Sequence, residues 1–180
     1  MDSASFGALF DSFTHSVFRL ETLQHYAVSA EDALMRSFRD GTPRPERSVR
    51  TDPWLRRIAV STAEGKSWSR VHLIREPLSE YVRYELLAYI ESQAVGEQIS
   101  LVDLGAYPQY EHVGPDYWLF DAETDHAQAV LMHYDDDGRI TEREHVTAGP
   151  IVEQALDYTL KLFEPIAVPL NTYLARAHVA

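Results

Sequence analysis

The chain has 180 residues, enough for one domain with a sizeable hydrophobic core. It contains no cysteine, which excludes disulfides, thiolate metal ligands and a cysteine nucleophile, and this composition is consistent with a reducing cytoplasm. No basic leader precedes the first apolar residues, and no apolar run approaches the length of a membrane span. We therefore expect a cytoplasmic protein without a membrane partner.

The formal net charge of −12 is unevenly distributed along the chain. Residues 1–83 hold 12 basic and 11 acidic side chains, whereas residues 84–180 hold 4 basic and 17 acidic ones. The acidic half would repel a phosphate backbone, so direct nucleic-acid binding is not expected. The acidic surface either serves solubility alone or docks on a basic partner protein.

Hydrophobic periodicity predicts the elements of the first half of the chain. In order, they are a helix over 6–13, a strand over 17–23, a helix over 29–41, a loop over 42–53, and a β-hairpin of strands over 54–63 and 66–75. The hairpin is inferred from the turn dipeptide Glu64-Gly65 between its two strands. In the strand over 17–23, alternation places Arg19 and Glu21 on the same face. If that face is buried, the two charges are either paired or functional.

The second half of the chain follows the same reasoning. We predict a helix over 78–95, a strand over 99–104, an aromatic loop over 105–116, strands over 117–121, 127–134 and 139–146, a helix over 151–163, and a last helical segment after Pro165 and Pro169. The three later strands are separated by polar turns and form an antiparallel meander. The prediction is a single α+β domain over 1–180, with a mixed or largely antiparallel sheet of six to seven strands, helices packed on it and a helical C-terminus.

Charged residues concentrate at a predicted strand-to-helix junction, residues 68–86. It contains Arg70, Arg75, Glu76, Arg83 and Glu85. Because an arginine fork recognises carboxylate or phosphate through two hydrogen bonds, this junction is a candidate site for a small anionic ligand. Surface ion pairs, or a buried network that fixes strand order, would give the same pattern.

Other known site patterns are absent from the sequence. The run Asp135–Gly138 lacks the alternating spacing of a calcium loop, and the eight histidines lack zinc-ligand spacing, so no metal is predicted. There is no nucleophile elbow, phosphate loop or dinucleotide fingerprint, so no cofactor is predicted either. An enzyme would have to use a carboxylate base beside an arginine clamp. Candidates for the base are Glu21, Glu76, Glu85 and Asp121, and those for the clamp are Arg19, Arg75 and Arg83.

The segment D-Y-W-L-F-D, residues 116–121, places two carboxylates around an aromatic strand. Trp118 and Phe120 lie on one face of that strand and Tyr117 and Leu119 on the other. Either core packing or a wall that stacks against a ligand explains this pattern.

Four segments together, residues 15–23, 68–85, 116–121 and 132–138, resemble an actinobacterial family of domains of unknown function. The similarity extends over nearly the whole chain, and it implies no established reaction, cofactor or catalytic residue. Members are often encoded beside helix-turn-helix regulators, which makes such a regulator a possible partner protein. The matching positions, as a shared site or scaffold, are Arg19, Glu21, Arg70, Arg75, Glu76, Tyr81, Arg83, Glu85, Asp116, Trp118 and Asp121.

Three functions are compatible with the sequence. The first is a non-enzymatic regulatory module that binds a small anionic ligand or a helix-turn-helix protein through the arginine and glutamate residues. The second is a small enzyme that acts on a phosphorylated or carboxylated metabolite. The third is a structural dimer, in which the same charges are fully paired and no cavity adjoins them.

Overall fold

A computed structural model describes residues 1–43, 45, 47–159 and 165–177 of the chain. Its helices are α1 (Ser3–Ser12), α2 (Asp32–Arg39), α3 (Pro53–Ala63), α4 (Glu80–Ala94), α5 (Pro150–Asp157) and α6 (Leu170–Ala177). Its strands are β1 (Ser16–Glu21), β2 (Ser67–Ile74), β3 (Glu97–Asp103), β4 (Asp116–Phe120), β5 (Gln128–Tyr134), β6 (Ile140–Val146) and β7 (Val168–Pro169). Within the described ranges no helix is long and apolar enough to cross a bilayer.

The strands form one mixed sheet in the order β6-β5-β4-β1-β2-β3-β7. Strands β1, β2 and β3 are parallel, whereas β4, β5 and β6 form the predicted antiparallel meander. Helices pack on this sheet and α6 ends the described chain, so the prediction of an α+β domain with a helical C-terminus is confirmed. Parallel β1 and β2 place Arg19 beside Arg70, and β4 on the other side places Trp118 beside Arg19.

The predicted hairpin strand over 54–63 is wrong, because these residues form α3. Asp52 caps the helix by accepting from the backbone N–H groups of Trp54 and Leu55, and Pro53 occupies the first turn. Leu55, Ile58 and Ser61 are buried at a spacing of three residues, which is helical. Strands β1 and β2 are therefore joined by a helical crossover, which makes them parallel.

The remaining boundaries differ by a few residues. The helix predicted over 29–41 begins with a 3₁₀ turn at Ser29–Glu31 and continues as α2. The helix predicted over 151–163 is observed as α5, and residues 160–163 lie outside the described chain.

The sheet has two different faces. On one, Phe18, Leu20 and Leu73 belong to an apolar cluster that includes Val152 of α5. On the other, Val17 and Trp68 near the starts of β1 and β2 join a cluster with residues of α1 and α3. Further along the same two strands this second face becomes charged, although all of its side chains remain buried. The change from apolar to charged occurs toward the carboxyl ends of the parallel strands, where ligands commonly bind.

Candidate functional site

A cavity of about 390 Å³ adjoins this charged part of the sheet. Its lining includes Arg19 and Glu21 of β1, Arg70 of β2, and Glu85 and Tyr89 of α4. The lining residues of α4 recur every three to four positions, which is the spacing of one helix face. The cavity therefore lies between the second face of the sheet and α4.

Five buried charges form one network beside the cavity. Arg19 contacts Glu21 (Nε to Oε1, 3.4 Å) and Asp116 (Nη2 to Oδ2, 2.8 Å). Arg70 contacts Glu21 (Nη1 to Oε2, 2.7 Å) and Glu97 (Nε to Oε1, 2.9 Å). Glu21 thus bridges two guanidinium groups on neighbouring strands.

These contacts keep the groups ionised in spite of their burial. Burial acts to raise the pKa of Glu21, but the charges of Arg70 and Arg19 outweigh it and hold the pKa below its ordinary value. Burial acts to lower the pKa of Arg19, but the charge of Asp116 outweighs it and raises the pKa. The network therefore holds two cations and a bridging carboxylate in a desolvated place, where removal of one partner is costly.

Aromatic rings hold the two guanidinium groups in place. The Cζ of Arg19 lies 5.2 Å from the ring centroid of Trp118, and the Cζ of Arg70 lies 5.8 Å from the same ring. The Cζ of Arg70 also lies 5.1 Å from the ring of Tyr89. These distances are within the range of cation–π attraction. Trp118 belongs to the core and contacts the arginines, and it does not line the cavity.

Asp116 supports the network from β4. Its Oδ1 accepts from the backbone N–H (2.9 Å) and hydroxyl (2.6 Å) of Thr22, and its Oδ2 accepts from the hydroxyl of Tyr26 (2.5 Å) as well as from Arg19. With both oxygens occupied by protein donors, Asp116 positions Arg19.

The Tyr89 hydroxyl lies between Glu21 and a buried histidine. It donates its single hydrogen to Glu21 Oε2 at 2.6 Å, so its 2.8 Å contact with His72 Nδ1 is a hydrogen bond only when Nδ1 is protonated. His72 Nε2 lies 2.8 Å from the Leu23 carbonyl oxygen, which can only accept, so Nε2 carries a hydrogen. Glu85 Oε2 lies 3.5 Å from His72 Nδ1.

Glu85 differs from Glu21 in its charge environment. Burial raises the pKa of its carboxyl, and the negative charge of Glu21 raises it further, so the pKa lies well above its ordinary value. Burial lowers the pKa of His72, which favours the neutral imidazole. The site therefore combines an ionised glutamate with one that favours its protonated form.

Two buried polar atoms of cavity-lining residues have no hydrogen-bond partner. They are Nη1 of Arg19 and Oε2 of Glu85. The two residues are 2% and 8% exposed, respectively. Such atoms are rare in folded proteins, because each costs about 1–3 kcal/mol when left unpaired. Both atoms are shielded from solvent and belong to side chains that line the cavity, so the lining contains one unused donor and one unused acceptor.

The far side of the cavity is formed by residues outside the sheet. Glu31 accepts a hydrogen bond from the Tyr81 hydroxyl at 2.9 Å, and burial raises the pKa of its carboxyl. Arg47 donates to Asp52 (2.7 Å) and to Glu91 (2.8 Å), which ties the segment before α3 to α4.

The structure brings together seven of the residues predicted for the site. Arg19, Glu21, Arg70, Tyr81 and Glu85 line the cavity, while Asp116 and Trp118 contact Arg19 from outside it. The two interpretations of the charged residues, a buried network and a binding site, therefore apply to the same place.

The other four residues predicted for the site lie elsewhere. Arg75 is exposed and pairs with Glu111, Glu76 accepts from a tyrosine of α6, and Arg83 is exposed on α4. Asp121 accepts from the backbone N–H groups of residues 14–16 and holds the turn before β1. None of the four lines the cavity.

Sequence reasoning missed several cavity residues, among them Glu31, Arg47 and Tyr89. Tyr89 could have been found, since it lies four positions after Glu85 and hence on the same helix face. His72, which contacts Tyr89, could also have been found, because it shares a strand face with Arg70. Nothing local to Glu31 or Arg47 indicates the site, because both reach it through long-range contacts.

Within the described residues, one group of side chains could offer ligand atoms to a metal ion. Glu21, His72 and Glu85 each offer one atom, and these atoms lie within 4.8 Å of one another. However, Glu21 Oε2 already accepts from Arg70 and Tyr89, and the Arg70 guanidinium would repel a divalent cation. The observed arrangement therefore does not fit a resident metal.

A search of curated proteins and a search of solved structures each found no match. A family model, the domain of unknown function DUF6879, matches residues 4–175. This match includes the elements that form the cavity, from β1 to β5. The chain therefore belongs to the DUF6879 family of domains of unknown function.

Proposed function

We propose that the chain is a non-enzymatic binding module whose cavity takes a small ligand with an anionic group. The observation that carries this proposal is the unpartnered Nη1 of Arg19, a buried donor on a cavity-lining residue. A carboxylate or phosphate oxygen would accept from it, forming a charge-assisted hydrogen bond. Arg19 is already positioned by Asp116 and Trp118, so binding requires little ordering of the side chain.

We further propose that the chain has a regulatory role. The resemblance described above makes a helix-turn-helix regulator the candidate partner, and the acidic second half of the chain supplies charge that could attract a basic protein. In this proposal, ligand occupancy alters the affinity for that protein. Gel filtration of the two proteins with and without ligand tests it, and co-elution that is insensitive to ligand would refute the regulatory part.

An enzyme is the second candidate, and a specific observation favours it. Glu85 has a raised pKa in a cavity that three arginines also line, as expected of a general acid beside an anion clamp. Turnover of a carboxylated or phosphorylated substrate that Glu85→Gln abolishes without weakening substrate binding would establish this alternative.

The binding proposal is tested by filling the cavity without changing its charges. Ala88 lines the cavity on α4, whereas Ala94, at the end of the same helix, is exposed and does not line it. Isothermal titration with hexanoate should show saturable binding to the wild type and to Ala94→Leu, but not to Ala88→Leu. Saturable binding that Ala88→Leu retains as fully as Ala94→Leu would refute the proposal.

A further inference from the structure

Two carboxyl groups in the described cavity lining, those of Glu31 and Glu85, have no arginine or lysine paired with them. Arg19 and Arg70 are each shared between two carboxylates of the buried network, and Arg47 is paired with Asp52 and Glu91. In the described part of the chain, no arginine or lysine lies within ion-pair distance of Glu31 or Glu85. The side of the cavity that holds these two glutamates therefore lacks a positive charge.

Hydrogen bonding identifies the same deficit at Glu85. Its Oε2 has no hydrogen-bond partner although the residue is buried. The neighbouring His72 places Nδ1 3.5 Å away, which is too long for a hydrogen bond, and the neutral imidazole, whose hydrogen is on Nε2, has no hydrogen on Nδ1 to donate. A donor supplied by a ligand would satisfy this oxygen, and an ammonium or amidinium group would also supply the missing charge.

Aromatic rings surround this part of the cavity. Tyr26 lies 5.8 Å from Tyr81 and 5.1 Å from Tyr134 between ring centroids, and Tyr81 lies 6.1 Å from Tyr84. All four line the cavity and form one continuous wall. The faces of tyrosine rings attract organic cations, most strongly where water is excluded.

We propose that the ligand is amphoteric, with an anionic group bound by Arg19 and a protonated amine or amidine bound by Glu85 against the tyrosine wall. This inference rests on the proposed binding function and specifies the class of its ligand. An anion alone would leave the Glu85 oxygen unpaired and add negative charge near Glu21. A cation alone would leave Nη1 of Arg19 unpaired.

Binding of such a ligand is linked to protons. The charged and titratable groups that act on Glu85 come from every element around it: Glu21 of β1, Arg70 and His72 of β2, Glu31 of the 3₁₀ turn, and Tyr81 and Tyr89 of its own helix. The raised pKa of Glu85 means that the empty site favours the neutral acid. A bound ammonium stabilises the carboxylate, so binding releases a proton and affinity rises with pH until Glu85 is ionised in the free protein.

The test compares three probes of equal length by isothermal titration: 6-aminohexanoate, hexanoate and hexylamine. A shorter series based on 4-aminobutanoate and a longer one based on 8-aminooctanoate cover different distances between the Arg19 guanidinium and the Glu85 carboxyl group. We expect at least one of the three amino-acid probes to bind at least about tenfold more tightly than the carboxylic acid and the amine of the same length. We also expect its affinity to rise between pH 6 and pH 8.

Two variants test whether Glu85 binds the amino group of the probe. Glu85→Gln should bind the amino acid and the acid equally, because it cannot supply a negative charge. The control Glu80→Gln, the same substitution at a partly exposed residue of the same helix, should keep the wild-type preference. Discrimination that persists in Glu85→Gln would overturn the inference.

The outcomes separate this inference from the proposed function. If the wild type binds the acids as tightly as the amino acids, the inference fails and the proposed function stands. If it binds the amines as tightly as the amino acids, then the carboxylate of the probe contributes nothing to binding. That result refutes the proposal that Arg19 binds an anionic group. If no probe of any length binds, the proposed function itself is refuted.

Discussion

Replacing Glu85 by glutamine should make the protein more stable, by an amount that grows with pH. The folded state raises the pKa of Glu85 above its unfolded value, because burial and the charge of Glu21 oppose ionisation. The stability that the neutral acid contributes is fully present below the unfolded pKa and is lost as pH rises toward the folded pKa. Glutamine keeps the shape and hydrogen-bonding capacity of the acid but does not titrate.

The magnitude follows from proton linkage. Across the window between the unfolded and folded pKa values, the folded state binds one more proton, so the free energy of unfolding falls by about 1.4 kcal/mol per pH unit. Glu85→Gln removes this dependence, and each kcal/mol corresponds to a rise in Tm of about 2–4 °C for a chain of this size.

The assay is urea denaturation of the wild type, Glu85→Gln and Glu80→Gln at pH 5, 6, 7 and 8. Groups with shifted pKa values that do not act on Glu85, such as Asp52 and Asp121, are present in all three proteins, so their contributions cancel in the differences. The difference between Glu85→Gln and the wild type should grow with pH, while that for Glu80→Gln stays flat. Parallel stability curves for the wild type and Glu85→Gln would refute the reasoning.

Three further substitutions have expected outcomes in urea denaturation. Glu21→Gln removes the carboxylate shared by Arg19 and Arg70 and should cost about 3–5 kcal/mol; a loss below 1 kcal/mol would contradict a buried network. Ser61→Ala removes the acceptor 2.7 Å from the buried Trp68 indole N–H and should cost about 1–3 kcal/mol, whereas an unchanged midpoint would show that the N–H finds another partner. Arg83→Ala should change stability by less than about 0.5 kcal/mol and leave hexanoate binding intact, and lost binding would place the site elsewhere.

The sequence predicted the fold well where the pattern is local. The meander of β4, β5 and β6 follows from alternation and polar turns, and α4 follows from its serine cap and apolar spacing. The segment over 54–63 was misassigned because Glu64-Gly65 resembles a hairpin turn, although Asp52 and Pro53 carried a helix-start signal. That one error turned a parallel crossover into a hairpin.

The site could be predicted only in part, for a related reason. Alternation in β1 correctly placed Arg19 and Glu21 on one face, but their pairing with Arg70 depends on the parallel register of β1 and β2. The candidate junction grouped Arg83 with Glu85 by proximity in sequence. Two residues along a helix correspond to a rotation of about 200°, so Arg83 is exposed while Glu85 lines the cavity.

The central claim is that Arg19 binds an anionic group in the cavity, and a crystal structure with hexanoate at a concentration that saturates binding in solution tests it most directly. We predict that a carboxylate oxygen lies about 3 Å from Nη1 of Arg19, with the alkyl chain inside the cavity between the sheet and α4. Hexanoate bound elsewhere on the protein, with Nη1 of Arg19 still unpaired, would contradict the claim.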